Sequence, residues 1–269
     1  MRRRQRAGRI WRRRGAAERL AVWALWLAGT LVLVQCWRHV SGHTTWEFAA
    51  DAPAQAADLF SRMLPPRWSY LGVLARPLWD TVTIATLGTL LAVLLAVPLA
   101  FLAARNTAPH AALRPLALLG IVTSRSINSV LWALLLVAML GPGILAGILA
   151  IALRSIGFVA KLLYEAIEEI DPAPVEAVLC SGAGPAQVLT YGVAPQVMPA
   201  FAGIALFRWD INVREATVVG LVGAGGIGLQ LDAAVSALEW QKGSLILLAT
   251  LGLVLLGEAA SARLRRALT

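Results

Sequence analysis

Apolar runs long enough to cross a hydrocarbon core of about 30 Å, which takes roughly 20 helical residues, recur six times along this chain. They are approximately Leu20 to Trp37, Thr81 to Ala104, Pro115 to Leu140, Gly143 to Leu163, Pro199 to Val222 and Ser244 to Ala260. No soluble core could hide that much apolar surface: of 269 residues 58% are hydrophobic and 14% charged, with a mean hydropathy of +0.70. The pattern predicts an all-α polytopic membrane protein with about six transmembrane helices.

Lys and Arg at the run ends set the expected orientation. The N-terminal cluster MRRRQRAGRIWRRR, Arg105 and Arg114, Lys161, and Arg263, Arg265 and Arg266 all fall on one side if the chain starts in the cytoplasm, which makes both termini cytoplasmic. The same rule accounts for the formal charge of +9. No basic face recurs and aromatics are not interleaved with the charges, so no nucleic-acid partner is expected. The expected division is a basic segment 1–19, a first helix 20–37, a periplasmic connector 38–79, a core domain 80–262 and a basic tail 263–269. The first run lacks a small-residue cleavage site and reads as a retained helix rather than a signal peptide. Cys36 and Cys180 supply neither a metal-ligand spacing nor an expected disulfide. The connector carries Pro53, Pro65, Pro66 and Pro77, with Ala56 to Leu64 a candidate amphipathic helix, and reads either as solvated chain or as a landing surface for a soluble partner. Pro98 inside the second run predicts a kink.

Four arginines lie within spanning runs: Arg125, Arg154, Arg208 and Arg214. Each costs about 2.5 to 3.5 kcal/mol at mid-helix on insertion scales, so each should face the bundle interior, a partner or water. Asp210 and Glu215 can neutralise Arg208 and Arg214 within the fifth run, as structural ion pairs. Arg125 and Arg154 have no acidic neighbour in their own runs, which makes them the better candidates for meeting an anion. Ser126, Asn128, Ser155 and Asn212 stand near as neutral donors.

Between the fourth and fifth runs, within 165–198, lies a Gly- and Pro-punctuated segment whose stretch Val175 to Ala200 has no Lys or Arg. Asp171-Pro172 is a helix start, with Asp as N-cap and Pro at the first helical position. Gly182 should end that helix and Gly184-Pro185 begin a second, Pro185 to about Tyr191, ending before Gly192 and Pro195. Val188, Leu189 and Tyr191 would form an apolar face able to fill a partner's groove. Glu165, Glu168, Glu169, Asp171 and Glu176 add negative charge available to a basic partner. The string Gly223 to Gly228 satisfies G-x-G-x-x-G but follows a membrane helix, so it reads as a flexible external connection or a gate lining, not a dinucleotide site. There is no G-x-x-x-x-G-K-[ST], so this chain has no P-loop for ATP. His39, His43 and His110 lie outside the spanning runs and form no catalytic constellation, so no enzymatic activity is expected.

Glu176-Ala177, Gly182 and Pro195-Gln196 resemble in kind and spacing the EAA loop of ABC-importer permeases, although Val178, Gly192 and Ala194 replace the family's Ala, Ile and Leu. The blocks MLPPRW, LGTLLAVLLAVPLAFLAARN, SINSVLWALLLVAMLGPG, YGVAPQVMPAF and FRWDINVREATVVGLVGAGGIG resemble the phosphonate ABC-importer permease, a binding-protein-dependent, type I, MetI-like transmembrane family. The resemblance implies five core helices plus an N-terminal helix in a bacterial inner membrane. It also implies a second permease subunit in a homodimer, two ABC ATPase subunits below and a periplasmic substrate-binding protein above. Glu176, Ala177, Gly182, Ala183, Pro185, Leu189, Tyr191, Pro195 and Gln196 would couple to the ATPase, which would hold the ATP and Mg; this chain would bind no cofactor. Arg125, Arg154, Arg208 and Arg214, with Ser126, Asn128, Ser155 and Asn212, would line a path for a phosphonate or related oxyanion, since guanidinium forks donate paired hydrogen bonds and stay charged. Phosphite, hypophosphite and phosphate remain alternative cargoes, and an ATP-independent carrier or channel is the alternative of another class.

Overall fold

The computed structural model describes residues 15–110 and 112–268. The Arg-rich cluster of residues 1–14 and the last residue of the basic tail lie outside the described residues. The chain divides into two compact units at Asp58. In the first unit, α1 (Ala16–His43) is a 28-residue helix that exposes Leu20, Trp23, Leu27, Leu31 and Trp37. A helix apolar on every side suits a bilayer rather than an aqueous surface. It runs past Trp37 and takes in His39 and His43, which the sequence placed outside the run. The next helix, α2 (Trp46–Met63), starts well before Ala56 and crosses the division between the units.

The second unit is built on α3 (Leu71–Ala103), with Pro77 and Pro98 inside it, and α6 (Ile144–Glu168). The helix continues through Pro98 to Ala103, so the proline does not end it. These two helices make the most extensive contact of the fold. The reason is a row of small residues on α3, Ala85, Gly88, Ala92, Ala96, Ala100 and Ala103, all buried. In a membrane, where lipid tails are as apolar as leucine, close backbone approach replaces the hydrophobic effect as the packing force. At Gly88 a Cβ would stand only 2.9 Å from Ile151 Cγ2.

The expected single span from Pro115 to Leu140 is two helices, α4 (Leu113–Ser126) and α5 (Ser129–Leu140), bent by 88°. Ile127 and Asn128 are extended, and the Asn128 side chain caps α5 by accepting from Val130 N at 3.3 Å. Capping chemistry inside an apolar run thus overrides its length. The end of α4 is pinned to α6: Gly157 N donates to Ser124 Oγ at 2.9 Å, and a Cβ on Gly157 would lie 2.4 Å from Ile121 O.

After α6 come α7 (Pro172–Cys180) and the short turn α8 (Pro185–Gln187). This second segment does not stop before Gly192. A π-helical turn, Val188–Val193, carries it directly into α9 (Ala194–Val219), so the fifth spanning helix begins at Pro185 and reaches Ala224. A kinked turn, Gly220–Ala224, non-helical at Val222 and Gly223, leads to α10 (Gly226–Ser236) and then α11 (Trp240–Leu268). The Gly-rich string is not a flexible external connection: Ala224 to Gly228 are buried. Gly143 N donates to Gly223 O at 3.0 Å and Ile227 N to Thr81 Oγ1 at 2.8 Å. A Cβ on Gly228 would fall 2.0 Å from Thr217 O. Its glycines serve close packing.

Two apolar clusters are stacked along α3, α6 and α9. One gathers Ala96, Ala100, Val159, Leu163 and Val197, and the other Ile84, Ala85, Ile151, Val213 and Ala216. Thr89 on α3, Arg154 and Ser155 on α6, and Arg208 and Asn212 on α9 lie between the two in sequence, and Glu215 follows among the residues of the second cluster.

Candidate functional site

The polar layer begins on α3, where the Thr89 hydroxyl donates to Ala85 O at 2.6 Å and accepts from Asn212 Nδ2 at 2.7 Å. Asn212 Oδ1 accepts from Ser155 Oγ at 3.2 Å, and Ser155 Oγ accepts from Arg208 Nε at 2.9 Å. Arg208 Nη2 then meets Glu215 Oε2 at 3.3 Å, while Arg154 Nη1 reaches Glu215 Oε1 at 2.5 Å and Ser129 Oγ at 3.3 Å. Ser129 Oγ donates onward to Asn128 Oδ1 at 3.2 Å. Every hydroxyl in this chain accepts once and donates once, so the network has a single sense, set by the two guanidinium groups. Fully satisfied networks of this kind hold helices in one register, whereas a half-satisfied one would be destabilising.

Charge within the layer does not balance. Arg154 and Arg208 face one carboxylate, which leaves one net positive charge. Burial grades across the group: the Arg208 side chain is 3% exposed, Glu215 15% and Arg154 31%. Arg208 also lies over the Phe158 ring, 5.0 Å from its centroid, which adds a cation–π contact at the buried end. The open end is at Arg154. That residue follows Ile144 by ten positions, about 15 Å along α6 at 1.5 Å per residue, so the charge sits near the middle of the span.

Of the anion-path candidates, Arg154, Ser155, Arg208 and Asn212 are thus brought together. Arg154 lacks an acidic neighbour in its own run but finds Glu215 on α9, so it is not an unpaired charge. Arg214 stays apart, paired with Asp210 one turn back on its own helix at 2.5 Å. Asn128 closes the network and caps α5, while Ser126 Oγ bonds back to Val122 O. Arg125 is exposed in the last turn of α4 and forms no ion pair among the described residues; a cation there complements the helix dipole. Thr89, Ser129 and Phe158 were missed by sequence reasoning. Glu215 had a signal, because residues seven apart share a helix face and it follows Arg208 by that spacing.

The loop candidates form one folded unit. The Asp171 side chain accepts from Ala173 N at 3.0 Å, and Pro172 opens α7. Gly182 turns the chain at φ +82, a left-handed conformation that costs glycine nothing. The Gln187 side chain then reaches back to accept from Gly184 N at 2.9 Å. At the neck, Gln196 pairs both backbone groups of Asp171, accepting from its N–H at 3.0 Å and donating to its carbonyl at 3.2 Å. It also donates to Gly192 O at 2.7 Å. Gly192 is buried against α7, where a Cβ would stand 3.2 Å from Val175 Cα. Glycine at the position where the EAA pattern has Ile therefore lets α7 fold back on the start of α9. Glu176, Ala177, Pro185, Pro195 and Leu189 are exposed, Tyr191 is 70% exposed, and Ala183 is half-buried. A hollow of about 580 Å³ opens between Val175, Leu179, Ala183, Leu189 and Thr107. Much of the expected free negative charge is already used. Glu165 pairs with Lys161, Glu168 with Arg105 and Arg114, and Asp171 caps α7, so Glu169 and Glu176 are the acids without a partner among the described residues.

The small-residue helix pair, the spanning helix that begins in the loop and the polar layer are carried on the fold of type I ABC-importer permeases. An inward-facing structure of the MetNI methionine ABC transporter aligns with a TM-score of 0.65, covering 75% of this chain and 99% of that chain at 21% identity, a likeness of fold. The chain belongs to the family of binding-protein-dependent transport system inner membrane components, whose profile matches residues 96–269. Among its relatives, a phosphite transport system permease protein of Stutzerimonas stutzeri is 41% identical over 236 residues, 88% of this chain and 85% of that protein. A putative cryptic phosphonate transport system permease protein of Escherichia coli is 42% identical over 118 residues, 44% of this chain and 97% of that protein. The chain is accordingly a permease subunit, a non-catalytic part of a transport system.

Proposed function

We propose that this chain is the membrane permease of an ATP-driven importer for a phosphorus oxyanion of the phosphonate and phosphite class, working as a homodimer with two ATPase subunits and a periplasmic binding protein. The observation that carries the reading is the surplus positive charge of Arg154, Arg208 and Glu215, held between α6 and α9, the second of which is continuous with the loop. Guanidinium forks offer paired donors to tetrahedral oxyanions, and the relatives bear the names of a phosphite and of a putative cryptic phosphonate transport system permease protein. In this reading the ends of α3, α6 and α11 at Ala103, Glu168 and Leu268 are cytoplasmic, because Arg105, Arg114, Lys161, Arg263, Arg265 and Arg266 lie at or near those ends.

The exposed surface of Glu176, Ala177, Leu189 and Tyr191 docks on the ATPase, which carries ATP and Mg. When the ATPases close, α7 is displaced. Gln196 ties α7 to the first turn of α9, so the displacement passes to the helix that holds Arg208 and Glu215. The polar layer is thereby opened to one side of the membrane and then to the other, which alternates access for the anion.

Uptake of phosphite and of methylphosphonate by the complete transporter in vesicles tests the reading. Replacing Arg154 by Gln removes one charged donor, worth about 1.5 to 3 kcal/mol for a hydrogen bond to a charged group, so uptake should fall roughly tenfold or more with assembly intact. Unchanged uptake of both ions would remove the anion-path assignment. Uptake that persists without ATP would favour a carrier instead.

A further inference from the structure

Glu215 divides its carboxylate between two helices, with Oε2 on Arg208 of its own helix and Oε1 on Arg154 of α6. Neither arginine meets another acid among the described residues. The carboxylate therefore fills the place where one anion bridges both guanidinium groups, and it does so with a single negative charge against two positive ones.

We propose that Glu215 is a surrogate anion, which holds the two arginines in the substrate-free protein and is displaced from them by the incoming phosphorus oxyanion; this rests on the anion-path reading above. The exchange is driven by charge. A dianion seated between Arg154 and Arg208 neutralises both, whereas the carboxylate neutralises one. A tetrahedral phosphorus oxyanion also presents more acceptor oxygens to the two guanidinium forks than the carboxylate does. Glu215 leaves toward the side that is not sealed, since it and Arg154 are the less buried members while Arg208 is anchored by Ser155 and Phe158. The device has two consequences. Each arginine keeps an anionic partner at every stage, and breaking a buried ion pair by removing one partner costs about 3 to 5 kcal/mol. Release of the cargo is assisted, because the carboxylate competes for the same two forks.

The test is direct binding of phosphite to the purified permease–ATPase complex without the binding protein. Glu215→Gln keeps the size of the side chain and removes the competing charge, so phosphite should bind roughly tenfold more tightly while uptake turnover falls. Adding Arg154→Gln should cancel the gain. If Glu215 only holds helices together, Glu215→Gln will leave phosphite binding unchanged or weaken it, which overturns the proposal. Loss of uptake in Arg154→Gln alone, alongside unchanged binding in Glu215→Gln, sinks the surrogate role and leaves the anion path standing. No phosphite binding by either form together with normal uptake in Arg154→Gln removes both. A structure of the unsubstituted complex with phosphite decides the matter without mutation: the ion between Arg154 and Arg208 with Glu215 turned away supports the proposal, and Glu215 still bridging them refutes it.

Discussion

Arg208 shows what a buried charge requires in a membrane protein: a carboxylate, a hydroxyl and an aromatic face at the same time. Its residue type and place in a spanning run were legible, and so was the need for compensation. Glu215, in the same run, was a legible partner, but the contributions of Ser155 and Phe158 were not, because they lie on α6, far away in sequence. Gly192 makes the complementary point. In the sequence it is a departure from the EAA pattern, and in the fold it is a contact surface with 3.2 Å between an added Cβ and Val175 Cα. Restoring the family's residue with Gly192→Ile should force α7 away from α9. The expected result is a complex that still inserts and hydrolyses ATP but transports less per ATP, measured as the ratio of phosphite uptake to hydrolysis in vesicles.

At the scale of elements, the bend between α4 and α5 and the merging of the loop with α9 are two departures from expectation. Both arise at capping positions. Asn128 had the residue type of a helix start but stood inside an apolar run whose length argued for one span. Gly192 and Pro195 had the types that end helices, yet the π turn absorbs the glycine, and Pro195 falls in the first turn of α9, where its missing N–H is no loss. The start of α7 at Asp171-Pro172 and its end before Gly182 were both legible, because those signals are local. Gln196 should act as the mechanical tie between α7 and α9. Gln196→Ala removes three hydrogen bonds at the neck, and ATP hydrolysis should then run with little uptake; normal coupling would show that the loop is held by packing alone. Substituting Gly182, at φ +82, with a bulky residue should uncouple hydrolysis in the same assay while leaving the protein in the membrane.

Across the second unit, order comes from layers: apolar cluster, polar network, apolar cluster, with the Gly-rich turn closing one end. That turn leaves little room for added side chains. A Cβ at Gly228 would meet Thr217 O at 2.0 Å, and one at Gly147 would meet Ala224 O at 2.6 Å. Overpacking typically costs about 1 to 3 kcal/mol, so Gly228→Ala should lower the thermal unfolding temperature of the detergent-purified protein, whereas Gly120→Ala, with nothing within 4 Å of its Cβ, should not. By itself the sequence determined that the chain is a bundle of membrane helices, which residues are candidates for an anion path and where α7 begins and ends. These follow from hydropathy, charge and capping, which act over a turn or two of chain. Only the tertiary structure decided that Arg154 and Arg208 share Glu215, that the glycines are packing surfaces and that the loop is one piece with α9. Those outcomes depend on which helix faces meet, and a guanidinium finds its partner through space rather than along the chain.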